Sequence, residues 1–404
     1  MRIAVVAACP FPSPQGSQVF AGQMARALAR RGHEVHLVTY GQGTLCEEGG
    51  VRHHRARRLP GDDSSRSGPN LMKPVLDAML ARLLARLTVR LRFDVLHCHN
   101  YEAAVVGLAV RAVRRIPVVY HSHNLMGDEL PTYYRGRCAR RVAGAAGRLL
   151  DCTVPRRADR VVALCGPSAG RLLELGVPPE RMAVVPPAVD DDGPAGPPAV
   201  ARAQLGLPAS AFIVGYAGNL DGYQNLSDLA SACRAAASRM EGRRLIWLVV
   251  THEDGRRLQA VLEDAGAVDL CRVIPASGYA RARLAMEACD VLVLPRRSGS
   301  GFPIKLLNYM SLGRPVVVAG CGAKGVTDGV DALVVEDGDV WGFAAALARL
   351  ASDDRLAASL GGQARRTFLR NYTWSAVLPE IERLYDSVTA ANPLFREPGE
   401  CKSS

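Results

Sequence analysis

The sequence predicts an α/β fold, with two Rossmann-like, doubly wound parallel-sheet domains that face each other across a cleft. Short apolar runs alternate with helical segments along the chain, as in parallel sheets covered by helices on both faces. The chain has 404 residues, more than one hydrophobic core usually serves. Near its middle, residues 186–198 are rich in Pro, Gly, Ala and Asp, a composition typical of a linker.

The apolar runs of the first half predict an N-terminal domain, residues 1–187. Its predicted strands are 2–7, 34–39, 95–98, 118–120, 160–164 and 182–185. Apolar residues at helical spacing predict helices at 17–31, 71–91, 101–114, 139–158 and 166–174.

The second half repeats this alternation after a linker that we place at 188–207. It predicts a C-terminal domain, residues 208–374, with strands at 213–216, 245–250, 271–273, 291–294, 315–318 and 332–335. An amphipathic helix is predicted at 375–390, and we expect the tail, 391–404, to be disordered.

The composition indicates a globular protein without membrane spans, since 48% of residues are apolar but no apolar stretch is long enough to cross a bilayer. Prolines break the first apolar run, unlike in a signal peptide, so we expect a cytoplasmic protein. The 11 cysteines are scattered without a Cys-x-x-Cys pair and are expected to be free thiols. The spacing of His, Cys and Asp predicts no metal site.

The net charge of +11 suits nucleic acid, an anionic membrane face or phosphorylated small molecules. Nucleic acid is not expected, because only 5% of residues are aromatic and no base-reading motif is present. Residues 71–92 form a basic amphipathic segment, and a second group of arginines follows at 135–157. Two interpretations stay open: surface helices packed on a core, or a peripheral contact at the inner face of an anionic membrane.

A glycine-rich loop followed by a helix, residues 299–312, predicts a phosphate-binding site. Gly299 and Gly301 allow a close backbone approach, and the helix that begins near Pro303 presents unpaired N–H groups and the positive end of its dipole. Lys305 adds a full charge. The local composition also allows an ordinary loop-to-helix turn with a solvated lysine.

This segment and the start of the chain resemble the family 4 glycosyltransferases, which have the GT-B fold. The resemblance rests on Gly301-Phe302-Pro303, on the helix and the Pro315-Val316-Val317 that follow, and on 1–6, 12–17 and 25–39. It implies transfer of a sugar from a nucleotide-sugar donor to an acceptor hydroxyl, with retention of configuration and without a cofactor or a required metal. The N-terminal domain would bind the acceptor, the C-terminal domain the donor, and helix 375–390 would cross back to the N-terminal domain.

The resemblance implies two catalytic residues. His123 matches the family's active-site histidine at the donor sugar, and Lys305 would stabilise the departing diphosphate. His121 is the weaker match, and a metal bound by His121 and His123 lacks a third ligand nearby in the sequence. At His97 and His99 we expect buried, hydrogen-bonded histidines.

The implied donor-binding residues lie in loops that follow the predicted strands. They are Gly16, Ser17, Gly218, Asn219, Gln224, Ser277, Gly278, Ser300, Gly301, Phe302, Pro303, Ile304 and Asn308. In a second interpretation, Ser17 only caps a helix. The loop after the first strand, residues 11–17, lacks the Gly-x-Gly-x-x-Gly spacing, which argues against a nicotinamide oxidoreductase.

Four of these positions depart from the family pattern at the donor diphosphate. Asn219 and Gln224 stand where the family has two cations, and Ser300 and Asn308 replace two glutamates. A buried diphosphate still needs positive charge or many N–H donors. The candidates for that charge are Lys305, Arg296 and Arg297.

These departures leave two alternatives open: an inactive protein of this fold that binds a sugar nucleotide or a partner, and a nucleotide-sugar epimerase. The acceptor is equally open, and a cell-envelope glycan, a lipid carrier and a small metabolite all fit. Asp128 and Glu129 are candidate contacts to acceptor hydroxyls, or else solvated carboxylates.

Overall fold

The computed structural model describes residues 1–12, 16–58, 68, 70–240, 242–276, 278–297 and 301–390. The chain divides into two compact units. The first consists of Met1–Ala188, Ser300–Phe302 and Trp374–Ser404, and the second of Val189–Gly299 and Pro303–Thr373.

Each unit contains one parallel sheet. The first is built from β1 (Arg2–Ala7), β2 (Glu34–Thr39), β3 (Val51–Arg55), β4 (Val95–His99), β5 (Val118–Ser122), β6 (Arg160–Ala163) and β7 (Met182–Val184). The second is built from β8 (Phe212–Ala217), β9 (Leu245–Thr251), β10 (Cys271–Pro275), β11 (Val291–Leu294), β12 (Val316–Ala319) and β13 (Leu333–Val335). Most of these strands are continuous apolar runs, because helices cover both faces of a parallel sheet.

Helices connect most successive strands in both units. They are α1 (Gly16–Arg30), α2 (Lys73–Leu91), α3 (Asn100–Arg114), α4 (Met126–Glu129), α5 (Arg137–Thr153), α6 (Gly166–Glu174), α7 (Pro198–Leu205), α8 (Leu226–Ala237), α9 (Arg256–Asp264), α10 (Tyr279–Glu287), α11 (Ile304–Leu312), α12 (Val340–Ser352), α13 (Asp354–Asn371) and α14 (Trp374–Ala390). No helix in the described ranges is both long and apolar enough to span a bilayer.

The strand orders are β3-β2-β1-β4-β5-β6-β7 and β10-β9-β8-β11-β12-β13. Both orders reverse direction at one point, between β1 and β4 in the first sheet and between β8 and β11 in the second. Loops at the carboxyl ends of strands beside such a point usually bind the ligand in open α/β sheets. The predicted fold class, two Rossmann-like parallel-sheet domains, is confirmed.

Helix α14 belongs to the first unit although it ends the described chain. It packs on α1 and β4, and its Trp374, Ile381 and Tyr385 are buried. On the same helix, Glu382 forms an ion pair with Arg31 at 2.6 Å, and its carboxylate lies 3.0 Å from His33 Nε2. The C-terminal helix therefore contributes directly to the core of the first unit.

A buried ion pair fixes the start of the second sheet. The Arg202 guanidinium on α7 donates to the Asp290 carboxylate at 2.7 Å and to the backbone carbonyl of Ala288 at 3.0 Å. The same carboxylate accepts the backbone N–H of Ile213 at 2.7 Å. These contacts join α7 to the loop before β11 and to β8. Helix α7 itself lies within residues 188–207, the segment that we interpret as the linker.

Strand β3 and the end of α5 also differ from the sequence prediction. Strand β3 was not predicted, because Val51-Arg52-His53-His54-Arg55 is mostly polar; it lies at the sheet edge beside β2. Helix α5 ends at Thr153 rather than at residue 158. A 3-10 turn at Pro155–Arg157 follows it, because proline has no N–H to donate inside a helix.

Candidate active site

In the second unit, Lys305 on α11 points to the carboxyl end of β8. Its Nζ donates a hydrogen bond to the Tyr216 hydroxyl at 3.0 Å and lies 4.5 Å from the centre of that ring. The Tyr216 hydroxyl in turn donates to the backbone carbonyl of Asn219 at 2.5 Å. The ammonium group is thus held under the turn that follows β8.

Lys305 has few opposite charges to stabilise its ammonium form. Burial, with a smaller contribution from the Arg296 guanidinium, lowers the pKa of Lys305 to about 7, and Asp221 opposes this shift. An arriving diphosphate would supply the missing negative charge, and it would favour the ammonium form. A lysine in this state is a suitable anion-binding group.

Asn219 and Gln224, the two amides that stand where the family has cations, are hydrogen-bonded to each other. Gln224 Nε2 donates to Asn219 Oδ1 at 2.6 Å, and Asn219 Nδ2 donates to Asp221 at 2.5 Å and to the Tyr223 hydroxyl at 3.0 Å. Gln224 is buried, and its Oε1 has no hydrogen-bond partner in the described part of the chain. The amides shape the loop, and the positive charge comes from other residues.

Arg296 and Arg297, the other predicted cations, differ in their surroundings. The Arg296 guanidinium lies 5.4 Å from the centre of the Tyr223 ring, beside the loop. Arg297 forms an ion pair with Asp228 at 2.5 Å. Of the three predicted cations, Lys305 and Arg296 therefore lie at the loop after β8, whereas Arg297 is engaged with α8.

Two glycines allow close approaches at the predicted site. Gly218 has φ +149°, and a Cβ there would lie 2.5 Å from Lys305 Nζ. Gly301, which the first unit includes, packs against the end of β5: a Cβ there would clash with the Asn124 side chain and lie 2.9 Å from the His123 carbonyl oxygen. Side chains at these two positions would displace the groups predicted to act.

In the first unit, His97, His99, His121 and His123 form a buried histidine cluster at the ends of β4 and β5. His99 Nδ1 and His123 Nε2 are 2.9 Å apart, as are His97 Nε2 and His121 Nδ1. His97 Nδ1 is 2.8 Å from the Tyr385 hydroxyl. The expectation of hydrogen-bonded histidines at 97 and 99 is therefore met, but their partners are the other two histidines.

His123 is a neutral, oriented ring. Burial lowers the pKa of His123 to about 4. The Phe20 ring packs edge-on against it at 5.3 Å between ring centres. Because Nε2 faces His99, only Nδ1 and the backbone of His123 are left for a substrate. This arrangement suits a hydrogen-bonding role and does not suit proton transfer at neutral pH.

A second polar group in the first unit, the carboxylate cluster, consists of Lys73, Asp77, Glu102 and Glu129. Lys73 pairs with Glu102 at 2.6 Å, and Asp77 accepts from the Tyr40 hydroxyl at 2.5 Å. Glu129 accepts from Tyr133 at 2.8 Å and from Asn124, next to His123. Burial raises the pKa of both Asp77 and Glu129.

The remaining predicted residues are distributed as follows. Gly16 and Ser17 begin α1; Gly278 precedes α10; Phe302 and Pro303 are buried just before α11; Ile304 and Asn308 lie on α11. Ser277 and Ser300 lie outside the described residues. The structure thus brings Gly218, Asn219, Gln224 and Lys305 together, and His123 together with the other histidines.

Sequence reasoning missed Tyr216, Tyr385 and most of the carboxylate cluster. In the sequence, Tyr216 and Tyr385 are indistinguishable from aromatic core residues. Their polar role is visible only from the groups that hydrogen-bond to their hydroxyls, Lys305 and His97. Lys73, Asp77 and Glu102 are spread over two helices without a motif. Their proximity follows from the packing of α2 on α3, which a local pattern does not encode.

Comparisons with known proteins agree with this architecture. A family model described as Glycosyltransferase Family 4 matches residues 14–192, and one described as Glycosyl transferases group 1 matches residues 211–353. The D-inositol 3-phosphate glycosyltransferase of Thermobispora bispora is 32% identical over 314 residues, which cover 73% of this chain and 70% of the relative.

Two solved structures show the same fold. Sucrose-phosphate synthase from Thermosynechococcus elongatus has a TM-score of 0.81 at 20% identity and covers 96% of this chain and 99% of its own. Anabaena HepE in complex with UDP-glucose has a TM-score of 0.74 at 18% identity, with coverages of 96% and 100%.

Proposed function

Because the chain belongs to the family 4 glycosyltransferases, enzymes that transfer sugars, we propose that its second unit binds a nucleoside diphosphate sugar with the diphosphate at Lys305. The observation that carries this proposal is the Lys305 ammonium under the glycine turn at Gly218, with Arg296 beside it. Together they supply the positive charge that Asn219 and Gln224 do not. The complex of HepE with UDP-glucose makes uridine the first base to test.

The proposed reaction retains configuration and uses no metal at the diphosphate. The acceptor hydroxyl oxygen forms a bond to the anomeric carbon while the bond from that carbon to the phosphate oxygen breaks. The hydroxyl proton passes to the departing phosphate. Lys305 and the backbone N–H groups at the start of α11 would stabilise the departing charge.

His123 is proposed to orient the transferred sugar. Its ring is neutral and its Nε2 faces His99, so its Nδ1 and its backbone carbonyl oxygen, which accepts, are left for hydrogen bonds with the sugar hydroxyls. Hydrogen bonds from a fixed ring reduce the entropy cost of reaching the reactive geometry.

The carboxylate cluster is proposed to bind a polyhydroxylated acceptor. Carboxylates accept hydrogen bonds from hydroxyl groups, and Glu129 is joined to His123 through Asn124, the next residue. The cluster contains three carboxyl groups and one ammonium group, and the Lys73 ammonium is already paired with Glu102. A neutral or amino-bearing polyol therefore fits it better than the inositol phosphate that the name of the Thermobispora relative contains.

Helix α5 is the proposed site of peripheral contact with an anionic membrane. Val142 and Leu149 on this helix are 71% and 64% exposed, and several exposed arginines surround them, a combination that suits an anionic lipid surface. The other basic segment, α2, buries Leu76, Leu80 and Leu84 and is a packed surface helix. Sedimentation with anionic but not with neutral vesicles, lost in Val142→Glu, would support this contact; equal sedimentation with both vesicles would contradict it.

The test of the function needs no known acceptor at first. Thermal unfolding is measured with uridine, guanosine, adenosine and thymidine diphosphate sugars, each with and without chelator. We expect a rise of the midpoint with sugars of one base, preserved in chelator, followed by acceptor-dependent release of the nucleoside diphosphate. No shift with any donor, or conversion of the donor sugar without an acceptor, would overturn the proposal.

A further inference from the structure

The histidine cluster has a compact geometry that hydrogen bonding alone does not account for. His99 and His121 are directly opposite each other in the register of β4 and β5. The ring centres of His97, His99 and His121 form a nearly equilateral triangle with sides of 4.9, 5.1 and 5.2 Å. All three residues are buried, with exposures of 0, 2 and 0%.

Two fully buried ring nitrogens of this cluster have no hydrogen-bond partner in the described residues. His99 Nε2 and His121 Nε2 are buried without a hydrogen bond in the described part of the chain. Each unpartnered buried polar atom costs about 1–3 kcal/mol. Because the two rings are stacked against each other, the two costs fall in the same small region of the core.

The hydrogen bonds permit both of these nitrogens to carry free lone pairs. If Nδ1 of His99 donates to His123, and Nδ1 of His121 donates to His97, each ring keeps an unprotonated Nε2. His97 then donates its own Nδ1–H to the Tyr385 hydroxyl. In metal sites, a ligating histidine commonly donates its other N–H to an acceptor in just this way.

We propose that His97, His99 and His121 bind a divalent transition-metal ion of the zinc class. Their potential ligand atoms all lie within 4.8 Å of one another. A tetrahedral site with Zn–N bonds of about 2.1 Å places its nitrogens about 3.4 Å apart, so modest ring rotations bring the three into range. An all-imidazole set favours Zn²⁺, Co²⁺, Ni²⁺ or Cu²⁺ over Mg²⁺ or Ca²⁺.

The cluster also supplies the supporting contacts that such a site needs. His123 and Tyr385 accept from ligand rings, and the Phe20 ring excludes water on one side, at 5.8 Å from the His99 ring and 5.2 Å from the His121 ring. When His97 Nε2 ligates the ion, His97 gives up the hydrogen bond from His121 Nδ1 and keeps the one to the Tyr385 hydroxyl. The fourth position is left for water or hydroxide, as in other three-histidine sites.

The ion has a structural role in this proposal. It joins the ends of β4 and β5 and fixes His99, which in turn holds His123. The site lies in the first unit and takes no part in the charge balance at the donor diphosphate, so the inference does not rest on the proposed function. The sequence indicates no third ligand for a site at His121 and His123; strand pairing instead brings His97 and His99 of β4 beside His121.

The experiment titrates CoCl₂ into chelator-treated full-length protein and records visible absorption and thermal unfolding. We expect one Co²⁺ per chain, the intense visible bands of a tetrahedral imidazole site, a higher unfolding midpoint, and displacement of Co²⁺ by Zn²⁺. In His121→Gln we expect the affinity to fall at least ~100-fold, more than the loss of a supporting contact causes.

The matched control is His54→Gln, which removes a histidine of the pair formed with His36 at 2.8 Å, away from the cluster. It should bind Co²⁺ like the wild type. The absence of visible bands and of any midpoint shift in the wild type would overturn the proposal without a variant. Equal Co²⁺ binding by His121→Gln would also overturn it, because the ion would then occupy another site.

Discussion

The Lys305 ammonium lies 3.0 Å from the Tyr216 hydroxyl, a contact between residues 89 positions apart. The Tyr216 hydroxyl donates in turn to the Asn219 carbonyl oxygen. This pair of hydrogen bonds holds the Lys305 ammonium at the turn after β8. The family's usual cations would stand at Asn219 and Gln224. In this chain the cations beside that turn are Lys305 on α11 and Arg296 in the loop after β11.

Replacing Lys305 should weaken donor binding. In Lys305→Met, we expect the Kd for the nucleotide sugar to rise about 10–100-fold, because a charge-assisted hydrogen bond to a charged ligand is worth about 1.5–3 kcal/mol. Calorimetric titration measures the change. The control is Arg355→Met, because Arg355 lies exposed on α13. An unaltered Kd and turnover in Lys305→Met would remove Lys305 from the site.

Donor binding should depend on pH through the same group. Burial lowers the pKa of Lys305 to about 7 in the empty enzyme. Below that pH the ammonium is already present and affinity stays level; above it, binding must take up a proton, so affinity falls by up to about tenfold per pH unit. The Kd measured from pH 6 to about 9 tests this slope. A slope that persists in Lys305→Met would assign it to another group.

Gly218 should tolerate no side chain. In Gly218→Ala, the added Cβ meets Lys305 Nζ and the φ of +149° becomes strained, so we expect donor affinity to fall and stability to decrease by about 1–3 kcal/mol. Gly222→Ala, where a Cβ meets open space, is the matched control. Similar donor affinities for the two variants would show that the close approach at Gly218 is unimportant.

Glu129 should affect the acceptor and leave the donor unaffected. In Glu129→Gln, we expect the KM for the acceptor to rise about tenfold, since a hydrogen bond to a charged group weakens, while the donor KM stays constant. Steady-state kinetics separate the two constants. The neighbouring Asp128 is exposed, so Asp128→Asn should change neither. A rise of the donor KM alone would contradict an acceptor role.

The ion pair of Arg202 and Asp290 should be essential for stability. Asp290→Asn leaves a buried guanidinium without its carboxylate, and we expect a loss of about 3–5 kcal/mol in the free energy of unfolding. The exposed pair of Arg234 and Asp269 provides the comparison: Asp269→Asn should cost at most about 1 kcal/mol. Urea unfolding of both variants measures the difference, and equal losses would contradict the argument.

The sequence predicts the fold well because strands and helices are encoded locally. The predicted strands agree with the observed strands to within two residues at each end, apart from the unpredicted β3. The partners of the site residues are encoded less directly. His99 meets His123 only because β4 and β5 pair in one register, and Lys305 meets Tyr216 only because α11 packs beside β8.

Helix α14 affects the order in which the chain can fold during synthesis. The core of the first unit contains Trp374, Ile381 and Tyr385, which leave the ribosome after all of the second unit. We therefore expect the nascent first unit to expose an apolar surface beside Phe20 and His97 until α14 is made, while the second unit completes its own core. Helix α14, made after the second unit, closes the unit that was started first.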